Sequence, residues 1–356
     1  MKIKQRVKIL VYTFAKKLGM FAVSRFLMRR RLVILGYHGF QYSDEASFRP
    51  TLFMDSRRFA GRLEILRRDN YSVLPLAEAV QRCRDGTLPV NAVTITIDDG
   101  FFSVLDIAAP MLYERHFPAT LYVTSYYVIK GTPIFRLVIQ YLFWKTECTR
   151  FELLERPWCP TTGVDLEDTH AAHQAMWQII DYGEANCDES QREEICEEIA
   201  GQLGVGFEAL RDARGLSLLT PEELRRLGAL GIDVQLHTHR HTFSPQDLKQ
   251  ARRELRDNRE VLEEILGRLL RHFCYPGGVW NRNILPMLSE EGIVSATTCQ
   301  AGMNDQTTDP LALYRVLDQD DLHDIEFEAE LAGFCELIRI VTFRRRRTDR
   351  MHSMRS

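Results

Sequence analysis

Short β-branched runs alternate with segments of helical period along most of this chain, and that alternation is the strongest limit on how it folds. Leu32-Val33-Ile34-Leu35-Gly36-Tyr37 is an apolar run of strand length. Phe59, Leu63 and Leu66 then recur at helical spacing, and Tyr71 to Leu74 reads as a second strand. Leu76 to Cys83 is helical, Val93 to Ile97 a strand, Ile107 to Arg115 a helix and Ala119 to Thr124 a strand. Strands separated by helices cannot pair as tight hairpins, so the pattern predicts an α/β fold of parallel βα units. The 356 residues suit one large barrel with additions or two smaller domains.

The alternation breaks between about 130 and 215. Residues 133–157 are aromatic and mixed, 157–165 are turn-rich, and 166–214 read as charged helices with Trp177 and Ile180 on an apolar face. Asp188 to Glu198 reads as a solvated helix face. The expectation is an inserted, mainly helical segment (130–215) over one side of the fold. The pattern resumes at Thr220-Pro221-Glu222-Glu223, a capping box with proline at the first helical position. Ser244-Pro245-Gln246-Asp247 has similar start signals, a serine cap and an early acid, for a helix burying Leu248, Ala251, Leu255, Leu262 and Ile265. His272 to Tyr275 is a short strand, and Ile284 to Glu291 a helix ended by Gly292.

A net charge of −3 argues against general nucleic-acid binding but hides an asymmetry. Residues Met1 to Ser43 hold ten basic residues (Lys2, Lys4, Arg6, Lys8, Lys16, Lys17, Arg25, Arg29, Arg30, Arg31) and no acid. Interleaved apolar residues make 1–31 an amphipathic helical arm, which either lies on an anionic membrane surface or packs on the barrel with a solvated basic face. A basic tail, 335–356, carries Arg344-Arg345-Arg346-Arg347 and Arg350. Lys16-Lys17 break the apolar run, so the arm does not read as a secretory signal. The eight cysteines lack paired C-x-x-C spacing and read as reduced thiols of a cytoplasmic protein, peripheral at the inner membrane face if the arm binds lipid.

Two motifs carry chemistry. Thr94-Ile95-Thr96-Ile97 ends in Asp98-Asp99-Gly100, and Ile232-Asp233-Val234-Gln235-Leu236 ends in His237-Thr238-His239-Arg240-His241. Asp-Asp-Gly alone is often a polar strand exit, and a lone His-x-x-x-His pair often packs as satisfied polar groups. Together they offer one carboxylate and two imidazoles, the three protein ligands of a hydrolytic zinc site with one position left for water. Successive side chains at a strand end diverge, so the second carboxylate is free to act as a base. Both motifs follow buried strands, and in an α/β barrel that is the end where active sites form.

These residues resemble the polysaccharide deacetylases (NodB homology, carbohydrate esterase family 4). Thr96-Ile97-Asp98-Asp99-Gly100 is similar to that family's T-F-D-D-G and His237 to His241 to its H-[S/T]-x-x-H, in a branch with an N-terminal L-x-Y-H motif matched by Leu35 to His38. The resemblance covers about 32–129 and 216–334. It implies a distorted (β/α) barrel of about seven parallel strands, with the 130–215 insertion and the basic N-terminal helix added. It implies a metal-dependent hydrolase removing N-acetyl groups from amino sugars of a polysaccharide, oligosaccharide or lipid-linked precursor, as in exopolysaccharide biosynthesis. Asp99, His237 and His241 would hold a divalent metal, zinc first and cobalt or nickel as alternatives. Asp98 would be the base. The loop Tyr275-Pro276-Gly277 would supply substrate contacts and, through the Gly277 amide, an oxyanion donor.

Cys274 departs from the family, which often has an arginine there to orient the base. Arg315 is a candidate replacement, against the alternative of an ordinary salt bridge on the barrel. The family's late L-x-H histidine has no clean copy, and Leu322-His323-Asp324 reads as surface. His38 is then the candidate general acid, against a buried histidine bonded to a neighbouring loop. His239 reads as structural. Two other functions remain open at this point: removal of another acyl group such as formyl, and a catalytically silent glycan-binding barrel. The sequence does not give the oligomeric state.

Overall fold

The structure is a computed structural model that describes residues 3–152, 156–158 and 163–342. Cys159, the arginine run 344–347 and Arg350, and with them most of the basic tail, lie outside the described residues.

Seven parallel strands form the centre: β1 Val33–Tyr37, β2 Ala92–Ile97, β3 Ala119–Val123, β4 Ile232–Leu236, β5 His272–Cys274, β6 Ser295–Thr297 and β7 Val316–Leu317. Neighbours in space follow chain order from β1 to β6, and β7 returns to pair with β1. One parallel bridge, Thr297 to Leu313, joins the two open edges. The sheet therefore curls into the expected distorted barrel. β1, β2 and β3 are buried at every position, the mark of strands covered on both faces. The predicted strand at 71–74 shrinks to Ser72–Val73, paired only with the first residues of β2.

Register brings the strand exits together. Tyr37 pairs with Ile97, so His38 and Asp98 leave the sheet at one level, with the Asp98 amide bonded to the Tyr37 carbonyl at 2.9 Å. Val123 and Phe273 both pair with Leu236, placing the β3 and β5 exits beside His237.

Several local expectations change. The helix expected at 107–115 starts earlier, as a π-helical stretch Val104–Ala108 that runs into the α-helix Ala109–Tyr113. The helix after the histidine motif begins at Leu248 and is capped by Asp247, which accepts from the Lys249 and Gln250 amides, not by Ser244. Leu248 is exposed and Ile265 only partly buried, against expectation, whereas Ala251, Leu255 and Leu262 are buried as expected. The insertion holds helices Phe135–Lys145, Thr169–Asn186, Glu189–Leu203 and Phe207–Ala213. The first was hidden because its residues are apolar nearly all round, which leaves no amphipathic period to read. Glu189 ties the insertion to the helix after β3, Ser125–Lys130, by accepting from Tyr126 Oη at 2.9 Å, and it also accepts from Thr132 Oγ1 at 2.9 Å. So Asp188 to Glu198 is only partly a solvated face: Ile195 and Cys196 are buried.

The arm is two helices rather than one, α1 Ile3–Lys17 and α2 Met20–Met28, separated at Gly19, whose φ of 75° breaks the helix. Ile9, Tyr12, Ala15 and Phe21 pack against Ile325, Ala329, Phe334 and Cys335. No helix among the described residues is long and apolar enough to cross a membrane. The seven described cysteines are free thiols.

Candidate active site

The β2 exit splits two adjacent carboxylates. Asp98 continues the strand and is buried, whereas Asp99 takes a left-handed backbone (φ 73°) that swings its side chain away. Thr238 (φ 68°) and His241 (φ 56°) are left-handed too, and such a conformation in the β-branched Thr238 is a real strain. Three of the seven non-glycine residues with positive φ among those described thus lie in one small region. The fold holds the backbone away from its preferred shape in order to aim these side chains.

Asp99 Oδ1 lies 3.3 Å from His237 Nε2 and 3.4 Å from His241 Nε2. These are ionic contacts; Oδ1 is buried and no hydrogen bond reaches it among the described residues. An orphaned carboxylate oxygen facing two imidazole nitrogens is a costly arrangement unless a cation joins it. The three ligand atoms lie within 4.8 Å of one another, so these residues fit a divalent metal. His237 is fully positioned from behind. Its Nδ1 lies 2.8 Å from the Cys274 carbonyl, which can only accept, so Nδ1 donates and Nε2 faces Asp99. Burial opposes charging of His237, yet the surrounding Cys274, Asp99 and Asp98 raise its pKa well above the ordinary imidazole value. Burial would likewise raise the Asp99 carboxyl, but the three histidines His237, His241 and His38 hold it below the usual range. The first shift reflects negative charge around the His237 ring, and the second the imidazoles that face Asp99.

Asp98 is treated in the opposite way. Arg315 Nη1 donates to Oδ1 and Nη2 to Oδ2, both at 2.8 Å, in a bidentate pair that is almost wholly buried. The guanidinium is itself fixed by the Thr298 carbonyl (2.9 Å) and Thr96 Oγ1 (3.2 Å). Burial would push the Asp98 carboxyl up, but Arg315, then His38 and His237, more than offset this and hold it below its ordinary value. Cys274 Sγ sits 3.5 Å from Asp98 Oδ2 and 3.2 Å from Arg315 Nη2. The small thiol leaves room for a guanidinium arriving from the segment just before β7. Gly36 opens the same passage, since a Cβ there would lie 2.6 Å from Leu317 Cδ2 and 3.4 Å from Arg315 Nη1.

His38 leaves β1 with Nε2 3.7 Å from Asp98 Oδ2 and its side chain 23% exposed, so it borders both the carboxylate and the opening. Tyr275 is buried, with its hydroxyl donating to the Leu311 carbonyl at 2.7 Å and its ring stacked on Trp280. Pro276 is buried, and Gly277 (φ 58°) turns the chain. The Gly278 and Val279 amides are spent on Tyr275 and Pro276 carbonyls inside the turn, and Pro276 has none, which leaves the Gly277 amide as the loop's donor. His239 Nδ1 pairs with Ser125 Oγ at 2.8 Å, away from the cluster. His323 accepts from the Ile325 amide as a helix cap.

Two positioning residues escaped the sequence. Asn258 is fully buried; its Oδ1 accepts from the His237 amide at 3.0 Å, and its Nδ2 donates to the Val123 carbonyl and Ser125 Oγ. Glu254 accepts from the Arg240 amide at 2.8 Å and so secures the turn between the two histidines. The signal was there: Ala251, Leu255, Asn258 and Leu262 share one buried helix face, and an asparagine in that row needs polar partners.

The family model for polysaccharide deacetylases matches residues 166–296, taking in His237, His241 and the Cys274 loop but not Asp98 and Asp99. No curated protein matches the chain significantly. Among solved structures, the deacetylase PplD of Streptococcus pyogenes in complex with acetate superposes with a TM-score of 0.57 at 15% identity, covering 85% of this chain and 98% of that one. IcaB from Ammonifex degensii gives 0.53 at 21% identity, covering 85% and 97%. A de-N-acetylase from Aggregatibacter actinomycetemcomitans gives 0.52 at 13%, covering 84% and 99%. At these identities the superpositions establish the fold. Residues 166–296 thus match the polysaccharide deacetylase family, 85% of the chain shares the fold of the solved deacetylases, and the protein is a hydrolase of the carbon–nitrogen amide bond.

Proposed function

We propose that this protein removes N-acetyl groups from amino sugars of a polysaccharide, oligosaccharide or lipid-linked glycan precursor, with one divalent metal held by Asp99, His237 and His241. The observation that carries the reading is the contrast at the β2 exit: Asp99 Oδ1 is orphaned beside two imidazole nitrogens while Asp98 is saturated by Arg315. Zinc is the first choice, and cobalt or nickel suits the same donors. The family name, and neighbours described as a deacetylase with acetate and a de-N-acetylase, favour acetyl over formyl.

When bound, the cation would lower the pKa of a water and polarise the acyl carbonyl. Asp98, ionised across the neutral range, takes a proton from the attacking water. Arg315 holds that carboxylate in one orientation and keeps it a weak enough base to release the proton again. The Gly277 amide faces the developing oxyanion. His38, beside Asp98 and open to the mouth, gives a proton to the leaving amine. Residues 32–129 and 216–334 supply this machinery, and the 130–215 insertion shapes the rim through Glu189. Free thiols favour a cytoplasmic place, on an exopolysaccharide precursor.

The test is acetate release from N-acetylglucosamine oligomers before and after chelation, with zinc, cobalt or nickel restored. Release that disappears on chelation and returns with metal is expected. Release of formate alone from an N-formyl sugar, or no release with full metal occupancy, overturns it.

A further inference from the structure

The arm meets the barrel with one face only. Its opposite face is apolar, not the solvated basic surface that a purely packing helix would present. Leu10 and Phe14 on α1, Leu18 just after it, and Val23, Phe26 and Leu27 on α2 are each 58–68% exposed. Their i, i+4 spacing makes this one stripe per helix. Soluble surfaces seldom leave so many large apolar side chains together without a partner.

The surrounding charge says what kind of partner. Lys8, Lys16, Arg25 and Arg31 are matched by Glu326, Glu328, Asp69 and Asp305. Lys4, Arg6, Lys17, Arg29 and Arg30 have no acidic partner among the described residues, and the first acid in the chain is Asp44. A second copy would meet this face through itself in a two-fold dimer, setting unmatched cations against unmatched cations. We propose that the face docks the protein on an anionic lipid bilayer, with the apolar stripe in the acyl boundary and the unmatched cations at headgroup level.

The arm joins the barrel at the end opposite the active site. The Arg29 carbonyl accepts from the Asn91 amide at the entrance to β2, and Leu32 bridges to Asn304. Docking therefore localises the protein without touching the chemistry, and binding and turnover should separate.

The experiment is flotation of the full chain with phosphatidylcholine vesicles, with and without phosphatidylglycerol. Binding is expected only with phosphatidylglycerol and should weaken with added salt. The triple change Leu10→Glu, Phe14→Glu, Phe26→Glu should weaken it at least about tenfold. So should the set Lys4→Gln, Arg6→Gln, Lys17→Gln, Arg30→Gln, which leaves the apolar stripe intact and guards against misfolding. Circular dichroism and acetate release should match the parent in both. A parent that stays unbound on phosphatidylglycerol vesicles overturns the proposal, as does a dimer in sedimentation that the triple change dissolves. Flotation reads binding without turnover, so its failure would say nothing against the deacetylase reading.

Discussion

Asp98 and Asp99 are neighbours in the chain, yet the fold gives their carboxylates opposite surroundings. Asp98 has both oxygens held by a buried arginine, whereas Asp99 sits on a left-handed backbone with one buried oxygen that accepts no hydrogen bond among the described residues. Two like charges so close would ordinarily drive one carboxyl to keep its proton. Here each is supplied with its own positive field, a fixed guanidinium for one and a pair of imidazoles inviting a cation for the other. Adjacent residues can therefore do separate jobs at the same pH, in the proposed reading one as base and one as ligand.

The hardest break in that comparison is to neutralise the two carboxylates in turn. Asp99→Asn should abolish both metal content and turnover, because it removes the charged ligand. Asp98→Asn should keep the metal and still lose on the order of 10²–10⁴ in kcat, the usual worth of a positioned base. Metal analysis beside acetate release reads both. Equal metal loss in the two variants would mean the carboxylates share one role.

Arg315 sharpens the base side. Arg315→Met leaves Asp98 buried without its partner and should cost about 3–5 kcal/mol of stability in a denaturant titration. It should also move the acid limb of the rate profile. With Arg315 the Asp98 carboxyl is held low, so activity falls only when pH drops below the ordinary carboxylate range. Without it, burial dominates, the pKa rises, and the base is protonated at higher pH, so the limb moves upward. The stability sign agrees. A depressed carboxyl stabilises the parent above its unfolded pKa, and that stability is lost as pH falls through the folded value. An unmoved limb in a folded variant would reduce Arg315 to a strut.

His38→Ala tests the acid and should lower kcat by about 10²-fold or more with metal retained. Turnover within a few-fold of the parent would pass the role to another group.

Much of this could be read from the sequence, and the gaps have physical causes. Asp98, Asp99, His237 and His241 were legible because each pair adjoins a buried strand whose exit fixes its place. Arg315 was only half legible: Cys274 advertised the missing guanidinium, but nothing local shows that a side chain 41 positions later crosses the barrel interior to replace it. Gly36 makes sense only once that crossing is seen. The arm's two faces could not be told apart, since helical period reveals an apolar stripe and not what covers it. Phe135–Lys145 lacked a period altogether because both sides are packed.

The smallest expected effect lies with Asn258, and it tests whether the metal side is built as rigidly as the base side. Its side chain accepts from the His237 amide and donates to Val123 and Ser125, linking the exits of β3 and β4 behind the metal ligands. Asn258→Ala leaves that buried amide without a partner, at about 1–3 kcal/mol. The loosened backbone should weaken metal affinity by about tenfold, the lower end for a group that orients a ligand. Competition with a chelator measures this, and kcat at saturating metal should change little. Asn258→Asp restores the acceptor for the His237 amide but not the donors, so it should recover part of the affinity. A loss of kcat with affinity unchanged would place Asn258 on the chemistry instead, and the two sides of the Asp98-Asp99 exit would then be less separate than their hydrogen bonds make them.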